Sequence, residues 1–398
     1  MLQVLGVLAF VAALLISVMI NEFGHFFFAK KFGMKVTEFF LGFGYKIWSF
    51  TRGETEFGVK AIPAGGYCRI VGMSTHEELD AADAPRAFIR ASVPRRLIVL
   101  GAGSFNHFVL GFFLIFAIFF GIGTSTLLPT IDQVLPCINT SVTSNVCAKS
   151  APASPALAAG LKPGDHIISI NGKVVTNWSN DVQVIRNSAG TPLTLVIDRA
   201  GQRLTIVATP DKVTVSGKEI GMLGIISKVG LKRESLVTSV KDTWSLGSNF
   251  FTTSIKSLAT LPSKIPALFK QTFLGAKRDP NGLVGVVGVA QASAATVSDT
   301  ALSFGDKLET FLLIIASLNI FVGIFNLLPL LPLDGGHMAV ALADGYRRWR
   351  AKRVGLPVPD PIDLEKLMPI TIVVFALLAG LSLMLLAADI FNPVHFNL

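Results

Sequence analysis

A glutamate and a histidine stand inside the first apolar stretch of the chain, in the run Asn21-Glu22-Phe23-Gly24-His25. Positions 21 and 25 share one face of a helix, because they are separated by about one turn, or roughly 6 Å of rise. Two imidazoles at that spacing can hold one zinc ion, with the intervening glutamate as general base. Here the first position is Asn21, so the literal His-Glu-x-x-His motif is not met. The alternative is that the helix ends early and leaves Glu22 and His25 in cytoplasmic water.

A second acid lies in the apolar run 326–337, where Asp334 is followed by two glycines. Ionisable groups within a transmembrane helix cost about 2.5–3.5 kcal/mol and are retained mainly where they act. The two prolines of this run break the helix, and the glycines permit a sharp turn. Asp334, His25 and a histidine at position 21 would make a three-ligand zinc site with an open place for water. The alternative is that Asp334 caps a helix beginning at Gly335.

The composition is typical of a membrane protein. Of the 398 residues, 51% are hydrophobic and only 15% are charged, and the mean hydropathy is +0.59. Soluble proteins carry about 25% charged residues. Four apolar segments are long enough to span or nearly span a bilayer, which takes about 20 residues; they cover residues 2–28, 97–122, 311–328 and 369–387.

Lysines and arginines gather in the loops after the first and the third apolar segments. The positive-inside rule places these loops in the cytoplasm, and both termini and the long stretch between segments two and three outside. This distribution explains the net charge of +9 without a nucleic-acid partner. The sequence therefore predicts a multi-pass protein of the plasma membrane.

Residues 39–70 of the first cytoplasmic loop predict short strands punctuated by glycines, with a turn at Arg52-Gly53-Glu54. Such a hairpin would sit against the membrane or dip into it from the cytoplasmic side. Its backbone would then need hydrogen-bond partners within the protein.

Residues 128–230 predict a small α+β domain. The run Ala-Gly-Leu-Lys-Pro-Gly-Asp ends at Asp165 and is followed by a strand, a tight Asn171-Gly172 turn, a second strand and a helix over 180–187. This order resembles a PDZ domain, which binds extended peptide ends as an added strand. The alternative is a domain that only blocks access sterically.

The predicted organisation has four parts: 1–127, the first part of a membrane core with two transmembrane helices and the hairpin; 128–230, the PDZ domain; 231–305, amphipathic helices on the membrane surface or a linker; and 306–398, the second part of the core with two further helices. Cys137 and Cys147 would be able to pair if their loop is extracytoplasmic. Two free thiols are the alternative.

Taken together, these motifs resemble the site-2 protease family of intramembrane zinc metalloproteases, most closely its actinobacterial members with a single PDZ domain. The resemblance covers nearly the whole chain and also rests on further motifs: Gly33-x-x-Val36-x-x-Phe39, Gly42-Phe43-Gly44, Pro63-x-Gly65-Gly66-Tyr67, and Ala102-Gly103-x-x-Asn106. It implies a polytopic α-helical membrane protein with four transmembrane helices, a membrane-associated β-hairpin and one extracytoplasmic PDZ domain. The implied reaction is hydrolysis of peptide bonds in or near transmembrane segments of single-span proteins such as anti-sigma factors.

The resemblance also implies roles for particular residues: zinc binding by Asn21, His25 and Asp334, activation of water by Glu22, and hydrogen bonding to the substrate backbone by Asn319 and Asn326. The substrate would be unwound into an extended strand, and the hairpin would supply the edge that receives it. The PDZ domain would exclude substrates that have not yet been trimmed outside the membrane.

The departure at position 21 predicts reduced zinc occupancy and little or no proteolysis, because an amide is a weak, neutral ligand compared with imidazole. An engineered substitution in an active enzyme and a natural pseudoprotease both fit. One rival function is a scaffold that needs no zinc and presents a PDZ groove. Another is a transporter in which Glu22 and Asp334 relay protons; the two halves of the chain show no internal repeat that would favour it.

Overall fold

The computed structural model describes residues 1–73, 80–138, 147, 151–215, 217–279, 282–300 and 302–394. The chain forms two compact units. One consists of Met1–Gly121 together with Glu234–Leu398, and the other of Ile122–Arg233. Each unit has its own apolar core.

The helices are, in chain order, α1 (Leu2–Lys31), α2 (Val93–Ala117, continued by a π-helical turn over Ile118–Ile122), α3 (Pro155–Ala158), α4 (Trp178–Arg186), α5 (Leu236–Phe273), α6 (Val286–Ser298), α7 (Phe304–Asn326), α8 (Asp334–Val354) and α9 (Met368–Phe391). Helices α3 and α4 belong to the second unit, and the others belong to the first.

Four helices in the described part of the chain are long and apolar enough to cross a bilayer: Leu2–Lys31, Val93–Ile122, Phe304–Asn326 and Leu364–Phe391. The prediction of four apolar membrane helices is confirmed at this level.

Helix α7 begins before the apolar segment that was predicted to start at residue 311. Ser303 and Asp306 form a capping box, in which each side chain accepts a hydrogen bond from the other residue's backbone N–H. The polar first turn of this helix is therefore stabilised locally, and hydropathy alone does not detect it.

A long hairpin joins α1 to α2. It consists of β1 (Val36–Arg52) and β2 (Thr55–Ile70), and Gly53 in the turn takes a left-handed conformation with φ of 67°. The predicted hairpin and its turn are confirmed.

The hairpin folds back on itself, so that the first part of β1 lies between two arms of β2. Residues 38–41 pair with 66–69 on one side and with 56–59 on the other. In the described part of the chain no further strand pairs with residues 66–70. This arm of β2 is therefore an edge of the sheet.

The strands of the second unit are β3 (Thr124–Val134), β4 (His166–Ile170), β5 (Lys173–Val174), β6 (Leu193–Arg199), β7 (Gln202–Ala208), β8 (Asp211–Val215), β9 (Lys218–Met222) and β10 (Ile225–Lys232). An antiparallel sheet runs in the order β10, β3, β4, β6, β7, with β5 paired to β4, and β8 and β9 form a separate hairpin. Because β3 and β10 are neighbours, the chain enters and leaves this unit side by side.

Local turn and cap chemistry set the details of this unit. Asn171 and Gly172 both have positive φ, 49° and 79°, as the predicted tight turn requires. Helix α4 begins at Trp178, ahead of the predicted range 180–187, because the Asn177 side chain accepts a hydrogen bond from the Asn180 N–H and caps it. The assignment of this unit as a PDZ domain stays a prediction.

Helices α5 and α6 occupy most of residues 231–305. Helix α5 is continuous over 38 residues although it contains two prolines. Helix α6 approaches α1 closely: a side chain at Gly6 would meet the Cα atom of Ala294 at 2.8 Å. Whether these helices lie on the membrane surface stays a prediction.

Cys137 and Cys147 form a disulfide, with Cα atoms 6.0 Å apart. The alternative of two free thiols at these positions is therefore wrong. Cys68 is a free cysteine.

A buried ion pair links the ends of strands in the second unit. Asp165 is fully buried, and Arg199 binds it through two hydrogen bonds, Nε to Oδ1 at 2.7 Å and Nη2 to Oδ2 at 2.8 Å. Burial by itself raises the pKa of the Asp165 carboxyl, but Arg199 and the Lys162 N–H outweigh it and hold that pKa below its usual value.

We predict that Arg199→Ala makes the core amides of residues 122–233 exchange hydrogen at least about tenfold faster at neutral pH, because it leaves a buried carboxylate without its cation. A lowered pKa stabilises the fold above the unfolded-state pKa of Asp165. That contribution is lost as the pH falls through the lower folded-state pKa. The difference between parent and variant should therefore shrink below about pH 4.

Hydrogen–deuterium exchange of the full chain, followed by mass spectrometry, measures both effects. Arg203→Ala is the matched control, because Arg203 is exposed on the adjacent strand β7. Equal exchange in the two variants would contradict the role given to the Asp165–Arg199 pair.

Candidate metal centre

The first unit brings the two predicted ligand segments together. Asn21, Glu22 and His25 lie in the last third of α1, and Asp334 is the first residue of α8. The Nε2 atom of His25 is 3.4 Å from Oδ2 of Asp334. His25 is 8% exposed, so the pair is largely shielded from solvent.

The other ring nitrogen of His25 is held by the backbone of α2. Its Nδ1 atom lies 2.8 Å from the carbonyl oxygen of Val99. A carbonyl oxygen can only accept, so Nδ1 carries a proton, and Nε2 is the ring nitrogen that faces Asp334. Metal-binding histidines are commonly oriented in this way.

The amide of Asn21 is fixed by its neighbours. Its Nδ2 atom donates to Oε1 of Glu22 at 3.1 Å and lies 3.3 Å from Nε2 of His25. Its Oδ1 atom accepts from Nδ2 of Asn326 at 3.4 Å. An ionised carboxylate only accepts hydrogen bonds, so Glu22 requires the NH₂ side of the Asn21 amide. Asn21 therefore directs donors, rather than its oxygen, toward His25.

Asp334 is presented by a tightly folded helix start. A side chain at Gly335 would come within 2.2 Å of the Leu327 carbonyl oxygen, and one at Gly336 within 2.5 Å of the Leu331 nitrogen. Only glycine allows α8 to begin so close to the chain that leaves α7. The alternative in which Asp334 caps a helix starting at Gly335 is wrong: the helix starts at Asp334, and Leu333 occupies the cap position.

Helix α2 approaches the motif through small residues. A side chain at Gly103 would lie 2.4 Å from both Oδ1 of Asn21 and Nε2 of His25, and one at Gly24 would lie 2.7 Å from the Ala102 carbonyl oxygen. The two glycines let the backbones of α1 and α2 come into contact. The side chains of Asn21 and His25 thus pack directly against α2.

A cavity of about 100 Å³ adjoins these residues; it is lined by Glu22, His25, Cys68, Ile70, Met73, Val99, Leu100 and Asp334. A space of this size holds several water molecules. Burial, and after it the Glu22 carboxylate, raises the pKa of the Cys68 thiol. With no metal ion beside it, the Cys68 thiol therefore stays protonated at neutral pH.

The two asparagines predicted to contact substrate are placed differently. Asn326 lies beside Asn21 at the centre. Asn319 is 1% exposed and uses its amide inside the protein, binding Nδ1 of His107 at 2.8 Å, Oγ of Ser17 at 3.1 Å and a backbone carbonyl of its own helix. Its role in substrate binding stays a prediction.

Sequence reasoning missed this second polar cluster of Ser17, His107 and Asn319. One signal was available: Ser17 precedes Asn21 by four positions and so lies on the same face of α1. The contacts with α2 and α7 are tertiary and leave no local pattern. The same holds for the Val99 carbonyl, since a backbone acceptor has no residue type to recognise.

The donor set suits zinc at two positions. An imidazole nitrogen, as on His25, and a carboxylate, as on Asp334, are groups that zinc prefers. Within the described ranges no group of three or more His, Cys, Asp or Glu side chains could hold a metal ion. The described residues thus bring two such groups together, and the Asn21 amide beside them donates its NH₂ group to Glu22.

The sequence matches the family described as Peptidase family M50 over residues 9–356. It is 33% identical over 409 aligned residues to the zinc metalloprotease Rip1 of Mycobacterium tuberculosis (strain ATCC 25618 / H37Rv), covering 99% of both chains. It is similarly related to Rip1 of Mycolicibacterium smegmatis, with 33% identity over 407 residues and 98% of each chain covered. A putative zinc metalloprotease of Clostridium perfringens, CPE1693, is 26% identical over 392 residues, 98% of this chain and 99% of that protein.

We predict that Gly103→Ala lowers the stability of the protein by about 1–3 kcal/mol, because the new methyl group overlaps Asn21 and His25. Gly101→Ala is the matched control on the same helix, since the nearest heavy atom, Cε of Met338, would be 3.8 Å away. That variant should keep or gain stability, because alanine favours a helix by about 1 kcal/mol. Thermal unfolding in detergent compares the two; a larger loss for Gly101→Ala would contradict the packing described.

Proposed function

This chain belongs to peptidase family M50, the site-2 protease family, and on that premise we propose that it is an intramembrane zinc endopeptidase impaired at position 21. The observation that carries the proposal is the 3.4 Å approach of His25 Nε2 to Asp334 Oδ2. Members of this family use zinc, and the relatives are named zinc metalloproteases.

His25 and Asp334 would hold the ion, with Asn21 at the third ligand position. When bound, zinc acts as a Lewis acid and makes water a stronger nucleophile. Turning the Asn21 oxygen inward would break its hydrogen bonds with Glu22 and Asn326. The proposal therefore includes weak zinc binding and little proteolysis by the chain as it stands.

Glu22 is proposed as the general base. Glu22 lines the same cavity as His25 and Asp334. It takes a proton from the attacking water, whose oxygen bonds to the scissile carbonyl carbon. It then gives that proton to the peptide nitrogen as the C–N bond breaks.

The substrate is proposed to bind as an added strand along residues 66–70. This edge is close to the base, because a side chain at Gly66 would lie 3.4 Å from Cγ of Glu22. Strand addition supplies main-chain hydrogen bonds to an unwound segment. Asn326, which lies beside Asn21, is proposed to bind the backbone of that strand. Asn319 would first have to leave His107 and Ser17.

We propose a multi-pass plasma-membrane protein with the site toward the cytoplasm and a PDZ domain outside. The basic loops support this orientation, and a disulfide between Cys137 and Cys147 fits an oxidising compartment. Tyr45 and Trp48 on the hairpin are 78% and 59% exposed, as suits contact with the membrane interface. The proposed substrates are single-span proteins of the anti-sigma factor type.

A non-catalytic scaffold is the second candidate, and the Asn21 amide favours it. The amide satisfies Glu22 and His25 without an ion, so the fold does not depend on zinc at this position. A scaffold of this kind would hold membrane segments and offer a PDZ groove to peptide ends.

We predict that Asn21→His raises zinc content toward a single ion per chain and brings detectable cleavage of a membrane-anchored substrate, because imidazole restores the third strong ligand. Elemental analysis of the purified protein and a gel-based cleavage assay measure the two effects. Asn249→His, on the exposed face of α5, is the matched control and should change neither. Zinc content and cleavage that stay at the parent's level would favour the scaffold.

We predict that Glu22→Gln in the Asn21→His protein keeps zinc but reduces hydrolysis at least about 100-fold, because glutamine cannot accept the proton of water. Parallel measurement of zinc content and cleavage rate separates loss of the base from loss of the metal. Undiminished cleavage would mean that another group is the base.

A further inference from the structure

Helix α8 carries Asp334, and among its described residues Met338 is the one large apolar side chain that packs against a core cluster. The residues that it buries are small or charged: Gly335, Gly336, Ala341, Asp344 and Ala351. Large apolar side chains elsewhere on α8, such as Leu342 and Trp349, are more than half exposed at 55% and 54%. Small side chains bury little apolar area, so packing alone fixes the rotation and axial position of this helix weakly.

Asp344 makes two polar contacts with residues outside α8. It is 3% exposed, and its Oδ2 atom lies 3.3 Å from Nη1 of Arg96 on α2. Its Oδ1 atom accepts a hydrogen bond from the Ile362 N–H at 2.8 Å. Arg96 is also 3% exposed, and its remaining nitrogens have no partner in the described part of the chain.

A buried ion pair of this kind opposes movement of α8 along α2. Separating the two groups would leave the buried Arg96 cation uncompensated in a low-dielectric interior, which costs more than the intact pair contributes. Asp344 would keep Arg347 of its own helix, whose Nη1 is 3.8 Å from Oδ1. Polar residues buried at a helix contact are best attested as devices that specify register.

The same face of α2 also holds α1. Arg96, Val99 and Gly103 are three and four positions apart, so they form one stripe along α2. Val99 binds His25 through its carbonyl oxygen, and Gly103 makes room for the His25 ring. Arg96 is the residue of this stripe that contacts α8, through Asp344.

We propose that Arg96 and Asp344 are positioning residues that set the register of α8 on α2 and so bring Asp334 opposite His25. Asp344 lies about 15 Å from Asp334 along the axis of α8, at 1.5 Å of rise per residue. Slipping α8 by a single residue would turn Asp334 by about 100° around the helix axis. The effect of this register on metal binding depends on the proposed ligand role of Asp334. The register of α8 on α2 can be tested without that role.

Cross-linking reports the register directly. A side chain at Gly101 would lie 3.8 Å from Cε of Met338, one turn beyond Asp334. The full chain carrying Gly101→Cys, Met338→Cys and Cys68→Ser is treated with a short bis-thiol reagent, and the rate of intramolecular cross-linking is measured. We expect Asp344→Asn to slow that rate at least about tenfold, because the reaction depends on how well the two groups are placed.

The matched control is Asp389→Asn. Asp389 on α9 forms a comparable buried pair with Arg278, at 3.1 Å with side chains 1% and 4% exposed, away from α8. This variant loses stability for the same reason but should cross-link at the parent's rate. Asp344→Asn that cross-links as fast as the parent would overturn the inference.

A second variant covers the case in which Asp344→Asn does not fold. Arg96→Met with Asp344→Leu removes both charges and keeps the volume, a change that folded proteins often tolerate. Slower cross-linking of this folded protein supports the register role; an unchanged rate overturns it, because apolar packing would then suffice.

Zinc affinity gives the functional arm. In the Asn21→His protein, competition with a fluorescent chelator should show an affinity at least about tenfold lower for Asp344→Asn and unchanged for Asp389→Asn. Equal affinities in the two variants would overturn the role in metal binding. If the cross-linking rates differ but no variant binds zinc, the register role stands and the proposed function fails.

Discussion

The centre depends on the contact between α1 and α2, where glycines take the place of side chains. At Gly24, α1 contacts the backbone of α2, and at Gly103, α2 contacts the side chains of Asn21 and His25. A Cβ atom at either glycine would prevent this contact. That closeness puts the Val99 carbonyl within 2.8 Å of His25 and so decides which ring nitrogen faces Asp334. Backbone geometry, rather than a charged neighbour, thus orients the one imidazole of the motif.

Asp334 reaches the same place by a different device. After α7 the chain turns back through a segment with two prolines. Helix α8 then begins in close contact with the carbonyl groups at the start of that segment. A carboxylate in the first turn of a helix is favoured by the unpaired N–H groups there. His25 is therefore carried by the interior of a long helix and Asp334 by a helix end.

Sequence reasoning predicted the parts of this arrangement that have a short-range cause. The spacing of Glu22 and His25, the glycines after Asp334 and the hairpin turn at Gly53 all follow from local geometry, and the structure contains them. The early start of α7 was missed because a capping box stabilises polar residues that hydropathy excludes. The Ser17–Asn319–His107 cluster and the Arg96–Asp344 pair join residues more than 200 positions apart. No periodicity in one sequence reports such contacts.

The surroundings of Asn21 have a consequence for substitutions at this position. The missing side chain at Gly103 makes room for the side chain of residue 21, and Glu22 and His25 lie beside it. Asparagine and histidine codons differ only in their first base. A single nucleotide change would therefore put an imidazole at residue 21, beside Glu22 and His25.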